Sequence, residues 1–285
     1  MQPEISSVTA EDVPAAWRLS TQAGWNQTLE DWERLLAVQP DGLIAVRLDG
    51  HLRATASYVT YGGELAWIGM VLVDEAVRGY GLGNLVFRTI LEQAISSGVA
   101  AVGLDATDLG RPIYRKQGFE DRCAIHRWGG SLVRFERSGA ARELIAGGAE
   151  VEEVIEFDRR SAGCDRSVLL RTLIGHPGVR TWYLPERGSA GCRGYVCLRP
   201  GRLSFQLGPL VASDRAACRS LLEAAAQATA AADVIADAVE SSMSAALLPS
   251  AGLGIRRTLS RMIRPADGVA LAASPLRLAA GFEWG

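Results

Sequence analysis

Residues Leu65 to Val73, LAWIGMVLV, are nine consecutive positions without a charge. A run of that length, rich in branched and aromatic side chains, is a strand buried on both faces at the centre of a sheet between helices. The pattern returns in the second half of the chain. Ile68-Gly69-Met70-Val71-Leu72-Val73 has a counterpart in Leu207-Gly208-Pro209-Leu210-Val211-Ala212, and Leu104-Asp105-Ala106 resembles Ile235-Ala236-Asp237. Gly118-Phe119 matches Gly252-Leu253 ahead of a basic strand over 255–263. Recurrence in the same order points to two copies of one fold. Small and polar residues over 139–149 mark the seam. The expected organisation is a first domain over 1–138, a linker over 139–150 and a second domain over 151–285.

Around the central run, helix and strand patterns alternate. Apolar spacing predicts helices over 10–23 and 28–37, the second opening on Thr28 and Asp31 as an N-terminal cap. Strands over 43–48 and 52–58 flank Asp49-Gly50, a dipeptide suited to a two-residue hairpin turn. A helix over 84–97, a strand over 99–104, a short helix over 111–117 closed by Gly118 and a strand over 123–128 complete the first copy. The expected class is α/β, a mixed and mostly antiparallel sheet with helices on both faces.

Composition removes several functions. With 285 residues, 48% of them hydrophobic, the chain can bury its own core. Thirty basic against 32 acidic residues, net charge -2, give no broad attraction to nucleic acid or an anionic membrane. No stretch approaches the ~18 apolar residues of a membrane span, and the first ten residues lack the basic head and apolar core of an export signal. A cytoplasmic location is expected. The five cysteines form no C-x-x-C pair and the three histidines lie far apart, so no metal site and no disulfide framework are expected. A serine nucleophile elbow, a Walker loop and an EF-hand are all missing from the sequence.

The segment after the central run is Arg78-Gly79-Tyr80-Gly81-Leu82-Gly83. Alternating glycines between a strand and a helix let backbone N-H groups turn toward a ligand, and the positive end of the helix favours an anion such as phosphate. By itself the loop also fits a tight turn without a ligand, or a variant dinucleotide loop with Asn84 at the third glycine and Asp105 some twenty residues on. The second copy has Ser213-Asp214-Arg215-Ala216 at this place, with no glycine.

Taken with Tyr114-Arg115-Lys116-Gln117-Gly118-Phe119, the loop resembles the GNAT superfamily of acyl-CoA-dependent N-acetyltransferases. Residues 78–83 fit its [Q/R]-x-x-G-x-[G/A] loop and residues 114–119 its Y-x-x-x-G-F segment. Asp105-Ala106-Thr107, Arg111-Pro112 and Ala23-Gly24-Trp25-Asn26 are similar to a tandem subgroup whose second domain is degenerate. The resemblance implies acetyl-CoA as donor, with diphosphate on the amides of Arg78, Gly79, Tyr80, Gly81, Leu82, Gly83 and Asn84. It also implies pantetheine paired along Val71 to Val73, with Met70 and Thr107 close by, and two strands splayed to admit the thioester.

The implied reaction is direct attack by a primary amine of a small molecule on the thioester, within a ternary complex. An alkylammonium near pKa ~10.4 needs a base or a water relay at neutral pH. Asp105 is the first candidate, although a carboxylate there also suits capping of the following turn; Glu64 is the reserve. Tyr114 is the candidate acid for the departing thiolate, and a tyrosine packed on the sheet is its structural alternative. A backbone N-H near Met70 or Val71 would polarise the carbonyl. Trp25, Asn26, Trp67 and His126, with Trp128, form the expected acceptor pocket. In the second copy Leu248 takes the place of Tyr114, so that copy is expected to close the pocket or to supply a homodimer face rather than catalyse. Two other functions fit the same residues: a non-catalytic acyl-CoA sensor, and a tandem acyl or aminoacyl transferase with another donor or acceptor.

Overall fold

The computed structural model describes residues 2–133, 140–186, 188, 191–240, 243–265 and 277–285, with the backbone alone at 243 and 244. The expected domain end at 138 lies outside the described residues. The first half runs β1 (Glu4–Ser7), α1 (Val13–Gln22), α2 (Leu29–Val38), β2 (Leu43–Leu48), β3 (His51–Tyr61), β4 (Leu65–Val73), α3 (Leu82–Ser96), β5 (Ala101–Ala106), α4 (Arg111–Lys116) and β6 (Glu120–Ser131). The second half repeats that order: β7 (Arg142–Glu143), α5 (Glu150–Ala162), α6 (Ser167–Ile174), β8 (Arg180–Pro185), β9 (Cys192–Arg199), β10 (Phe205–Ala212), α7 (Arg215–Thr229), β11 (Asp233–Val239), α8 (Met243–Leu247) and β12 (Gly254–Arg264). A tail follows with β13 (Arg277–Leu278).

Local chemistry accounts for the boundaries. Thr28 accepts from the Asp31 N-H while the Asp31 carboxylate accepts from the Thr28 N-H at 2.9 Å, a reciprocal cap that starts α2. Asp49 and Gly50 have φ of 50° and 77°, the left-handed pair that a tight hairpin requires. The helix α3 starts at Leu82, two residues before the expected position. Gly81, at φ 81°, ends the loop, so Gly83 falls inside the first helical turn.

The two halves are joined through one sheet. Its order is β1-β2-β3-β4-β5-β12-β6-β11-β10-β9-β8-β7, a sequence that reads the same from either end when each strand is replaced by its repeat. The centre is an exchange: β12 of the second half pairs antiparallel with β5, and β6 of the first half pairs antiparallel with β11. The exchange covers edges that each half alone would leave unpaired. It also explains why β6 is longer than the expected 123–128, since a partner lies on each side. The outer strands β1 and β7 are short and carry charges, which blunts the remaining edges.

Three apolar layers pack on this sheet. Phe87, Ile90 and Leu91 of α3 cover β2 to β5 on one face, and Leu221, Leu222 and Ala225 of α7 cover β8 to β10. On the opposite face α1, α2, α5 and α6 share a single core, with Trp32, Leu35, Leu170, Leu173 and the tail residue Trp284. Truncation of a buried tryptophan such as Trp32 costs about 3 to 5 kcal/mol in comparable cores. Four of the five cysteines are buried and none is in a disulfide.

Candidate active site

The strands β4 and β5 pair in parallel at only three positions, Leu65 with Ala101, Ala66 with Val102 and Trp67 with Gly103. Beyond Ile68 and Leu104 they diverge into a wedge. At this point β4 also bulges: Thr55 of β3 faces Leu72 and Ser57 faces Gly69, so Met70 and Val71 stand opposite Ala56 alone. Met70 has φ of 51°, unusual for a side-chain-bearing residue, and the buried Thr55 hydroxyl holds the bend by donating to the Met70 carbonyl at 2.9 Å. A bulge takes a backbone N-H out of the ladder, which is what a donor aimed at a ligand carbonyl requires.

The glycine loop follows the C-terminal end of β4, the end at which β4 and β5 are no longer paired. Gly79 and Gly81 have φ of 87° and 81°, and no atom stands within 4 Å of where either would carry a Cβ. These glycines serve backbone conformation and access, not packing within the protein. Gly81 caps α3 without a side chain, so the first-turn N-H groups have no intrahelical acceptor. Arg78 is exposed and pairs with Glu75 at 3.3 Å, and Tyr80 is 75% exposed. Val73 touches the position of a Gly83 side chain at 3.4 Å, which fixes the helix start against the strand end.

Inside the wedge stands Tyr114. Its ring packs on Phe87, centroids 4.5 Å apart, and a Cβ at Gly110 would meet that ring at 2.8 Å. Burial pushes the phenol up to about 12, so it keeps its proton at any physiological pH. No hydrogen-bond partner holds the hydroxyl among the described residues, unlike a tyrosine tied into the fold. Thr107 lines the same space, and its hydroxyl accepts from the Gly110 N-H at 3.2 Å.

Asp105 lines the cleft, but neither sequence reading describes its surroundings. Both carboxylate oxygens accept from Arg261 of β12, each at 2.9 Å, and the guanidinium lies 4.5 Å over the Trp67 ring. Burial raises the Asp105 carboxyl and Arg261 pulls it back, leaving it above the ordinary range. The pair has a mate across the exchange, where Arg127 of β6 holds both oxygens of Asp237 of β11 at 2.8 Å. Glu64 precedes β4 at its far end, about 20 Å of strand from Met70, and takes no part in the cleft.

The cleft offers ≈ 720 Å³ of free space, part of it open solvent. Of the expected acceptor residues, Trp25 lines it. The others do not. Asn26 is turned toward the second half, where it donates to the Ser204 carbonyl and accepts from the Leu203 and Ser204 N-H groups. Trp67 is buried beneath Arg261 and donates to the Phe282 carbonyl at 2.9 Å. His126 meets the Thr258 hydroxyl at 2.8 Å on the strand surface, and Trp128 is buried in the second half's core. The wall is built instead from Gln27, Arg127, Arg257 and Leu259 together with Phe282 and Glu283 of the tail. Glu283 accepts from Gln27 at 3.0 Å and from Arg199 at 2.9 Å, and burial raises its carboxyl against the pull of Arg199. Strand exchange brings β12 and the tail here, and no short-range signal in the sequence marks them.

Two family profiles match, an acetyltransferase (GNAT) family over residues 9–119 and an acetyltransferase (GNAT) domain over 154–276. The chain belongs to the GNAT acetyltransferases. One GNAT domain occupies each half, which makes it a tandem member. A holothin acyltransferase of Pseudoalteromonas sp. (strain SANK 73390) is 27% identical over 69% of this chain, and the match spans 65% of that protein, just under two thirds of its length. The N-acetyltransferase YitH of Bacillus subtilis (strain 168), itself uncharacterized, is 27% identical over 73% of both chains. Among solved structures, a putative acetyltransferase from Pyrococcus horikoshii superposes with a TM-score of 0.83 over 99% of this chain and 96% of its own, at 22% identity. A tandem GNAT protein from the clavulanic acid biosynthesis pathway gives 0.67 over 93% and 100%, at 14% identity. At such identities the superpositions speak for the fold alone. No helix among the described residues is long and apolar enough to cross a membrane.

Proposed function

We propose that this GNAT protein transfers an acetyl group from acetyl-CoA to the amine of a small molecule, by direct attack in a ternary complex. The reading is carried by one observation: the helix after the bulged strand begins on a bare glycine with no side-chain cap, and Tyr114 lines the cleft beside that same strand. In this reading the donor's diphosphate is bound by the amides of Arg78 to Asn84. The pantetheine lies along Val71 to Val73 and past Thr107. The N-H of Met70 or Val71 takes the developing negative charge of the thioester oxygen. Asp105, whose side chain is fully buried against Arg261, accepts the proton of the amine through water. Each of its oxygens keeps a second lone pair beside Arg261, and its raised carboxyl suits a base. The amine nitrogen attacks, the tetrahedral intermediate collapses, and Tyr114 stabilises the leaving thiolate. Because a phenol at about 12 is a weaker acid than a thiol near pKa ~8.5, Tyr114 acts by hydrogen-bonding to the departing sulfur as its charge develops, and any proton it gives up is returned by water.

The second unit, 151–285, binds no donor in this reading and completes the acceptor side. A small molecule is the acceptor class in this reading, and nothing in the charge balance attracts nucleic acid or a membrane. The test is thiol release from acetyl-CoA across a panel of primary amines. Release with at least one amine is expected. Tight donor binding with no release for any amine would support the acyl-CoA sensor and overturn the transfer reading.

A further inference from the structure

The charged groups around the acceptor side of the cleft are paired, with one exception. Arg127 is bound to Asp237 through two hydrogen bonds, Arg261 to Asp105 through two, and Glu283 to Arg199. Arg257, which also lines the cleft, makes no hydrogen bond or ion pair among the described residues. It stands opposite Arg127 in the β12–β6 register, close enough for repulsion from Arg127 to add to partial burial in weakening its charged form. Asp237 and Asp108 pull the other way without offsetting this. Arg257 is exposed, so water solvates its N-H groups; in a wall whose other charges are paired, it is the cation that an anionic ligand in the cleft can pair with.

An unsatisfied group belongs to a residue of the same wall. Gln27 is 6% exposed and lines the cleft; its amide nitrogen is fixed on Glu283, and its Oε1 is buried with no hydrogen-bond partner. The backbone carbonyl of Gln27 accepts from the Trp17 indole at 3.0 Å, so the residue is held in place. A buried acceptor without a donor costs stability unless a ligand supplies the N-H.

We infer that the acceptor is an amine bearing a separate anionic group, a carboxylate or a phosphate, with its N-H on Gln27 Oε1 and its anion on Arg257. This rests on the transfer reading above and adds the substrate class to it. Asp105 lines the same cleft as both contacts.

The experiment measures thiol release with matched amines: ethanolamine against O-phosphoethanolamine, and propylamine against β-alanine. In at least one pair the anionic member is expected to have the higher kcat/KM, by roughly 10- to 100-fold, and the pair that shows it distinguishes phosphate from carboxylate. Arg257→Gln should collapse that ratio toward one, chiefly through KM, while Arg257→Lys, which keeps the charge, retains most of it. Neutral members turning over as well as anionic ones, or a ratio unchanged in Arg257→Gln, would overturn the inference and leave the transfer reading standing. Weakened acetyl-CoA binding by calorimetry in Arg257→Gln would place the guanidinium on the donor and also overturn it. Absence of release from every amine would remove the transfer reading, and this inference with it.

Discussion

The two halves build the same wedge and treat it in opposite ways. In the first, β4 and β5 part after three paired positions, and no strand enters the gap among the described residues. In the second, β10 and β11 part after three as well, but β13 fills the gap: Leu278 pairs with Leu210, and the Ala279 N-H donates to the Asp237 carbonyl at 2.8 Å. The helix starts differ in the same sense. Gly81 leaves α3 uncapped, whereas Asp214 caps α7 by accepting from the Ala217 N-H at 2.8 Å. That hydrogen bond, with Arg193 close by, holds the carboxyl down to about 2. The bulge repeats too, with Gly208 and Pro209 where Gly69 and Met70 stand, but proline has no N-H to offer a thioester. The fold by itself therefore makes no donor site. In the transfer reading a donor site needs an uncapped helix end, an unfilled gap and a free amide; in the second half Asp214 caps the helix, β13 fills the gap and Pro209 has no N-H.

This contrast is most exposed at Tyr114. Replacing it by phenylalanine should lower kcat by roughly 10²- to 10⁴-fold while calorimetry finds donor affinity unchanged. Loss of binding together with turnover would make the residue a packing group, as Leu248 is in the second half. Because burial keeps the phenol protonated up to about 12, its own titration should cause no loss of activity below about pH 10.

A smaller effect separates the mated ion pairs. Asp105→Asn and Asp237→Asn each leave a buried arginine without its carboxylate, and each should cost about 3 to 5 kcal/mol in denaturant unfolding. Their pH profiles should diverge. As the base, Asp105 must be ionised, so the native enzyme loses activity as pH falls through a value lifted above the ordinary carboxylate range. That acid limb should vanish in Asp105→Asn and persist in Asp237→Asn. A limb that survives in both would end the role of Asp105 as base. Smallest of all, Asp214→Ala should cost about 1 kcal/mol as a lost helix cap and leave turnover alone. Altered kinetics would mean that the second helix start takes part in the reaction.

What the sequence makes legible is local. The Thr28–Asp31 cap, the Asp49-Gly50 turn and the apolar central strand each depend on neighbours within a few residues, and each takes its expected form, while the glycine loop ends earlier than expected, at Gly81. The repeated order of elements is legible for the same reason. The acceptor wall is not, because strand exchange sets Arg257 and Arg261 beside residues from the far half, and no local pattern marks which partner a strand will choose. Asn26, expected in the acceptor pocket, clamps residues 203 and 204, while its neighbour Gln27 lines the cleft. Trp67 is on the expected face, but Arg261 and the tail cover it.

The central claim, one open half and one self-filled half, reduces to a count of donor sites. Isothermal titration of the intact chain with acetyl-CoA should give one site per chain, lost in Gly81→Val, where a branched side chain meets both a left-handed backbone and the diphosphate path. Two sites per chain, or normal affinity in Gly81→Val, would contradict the account.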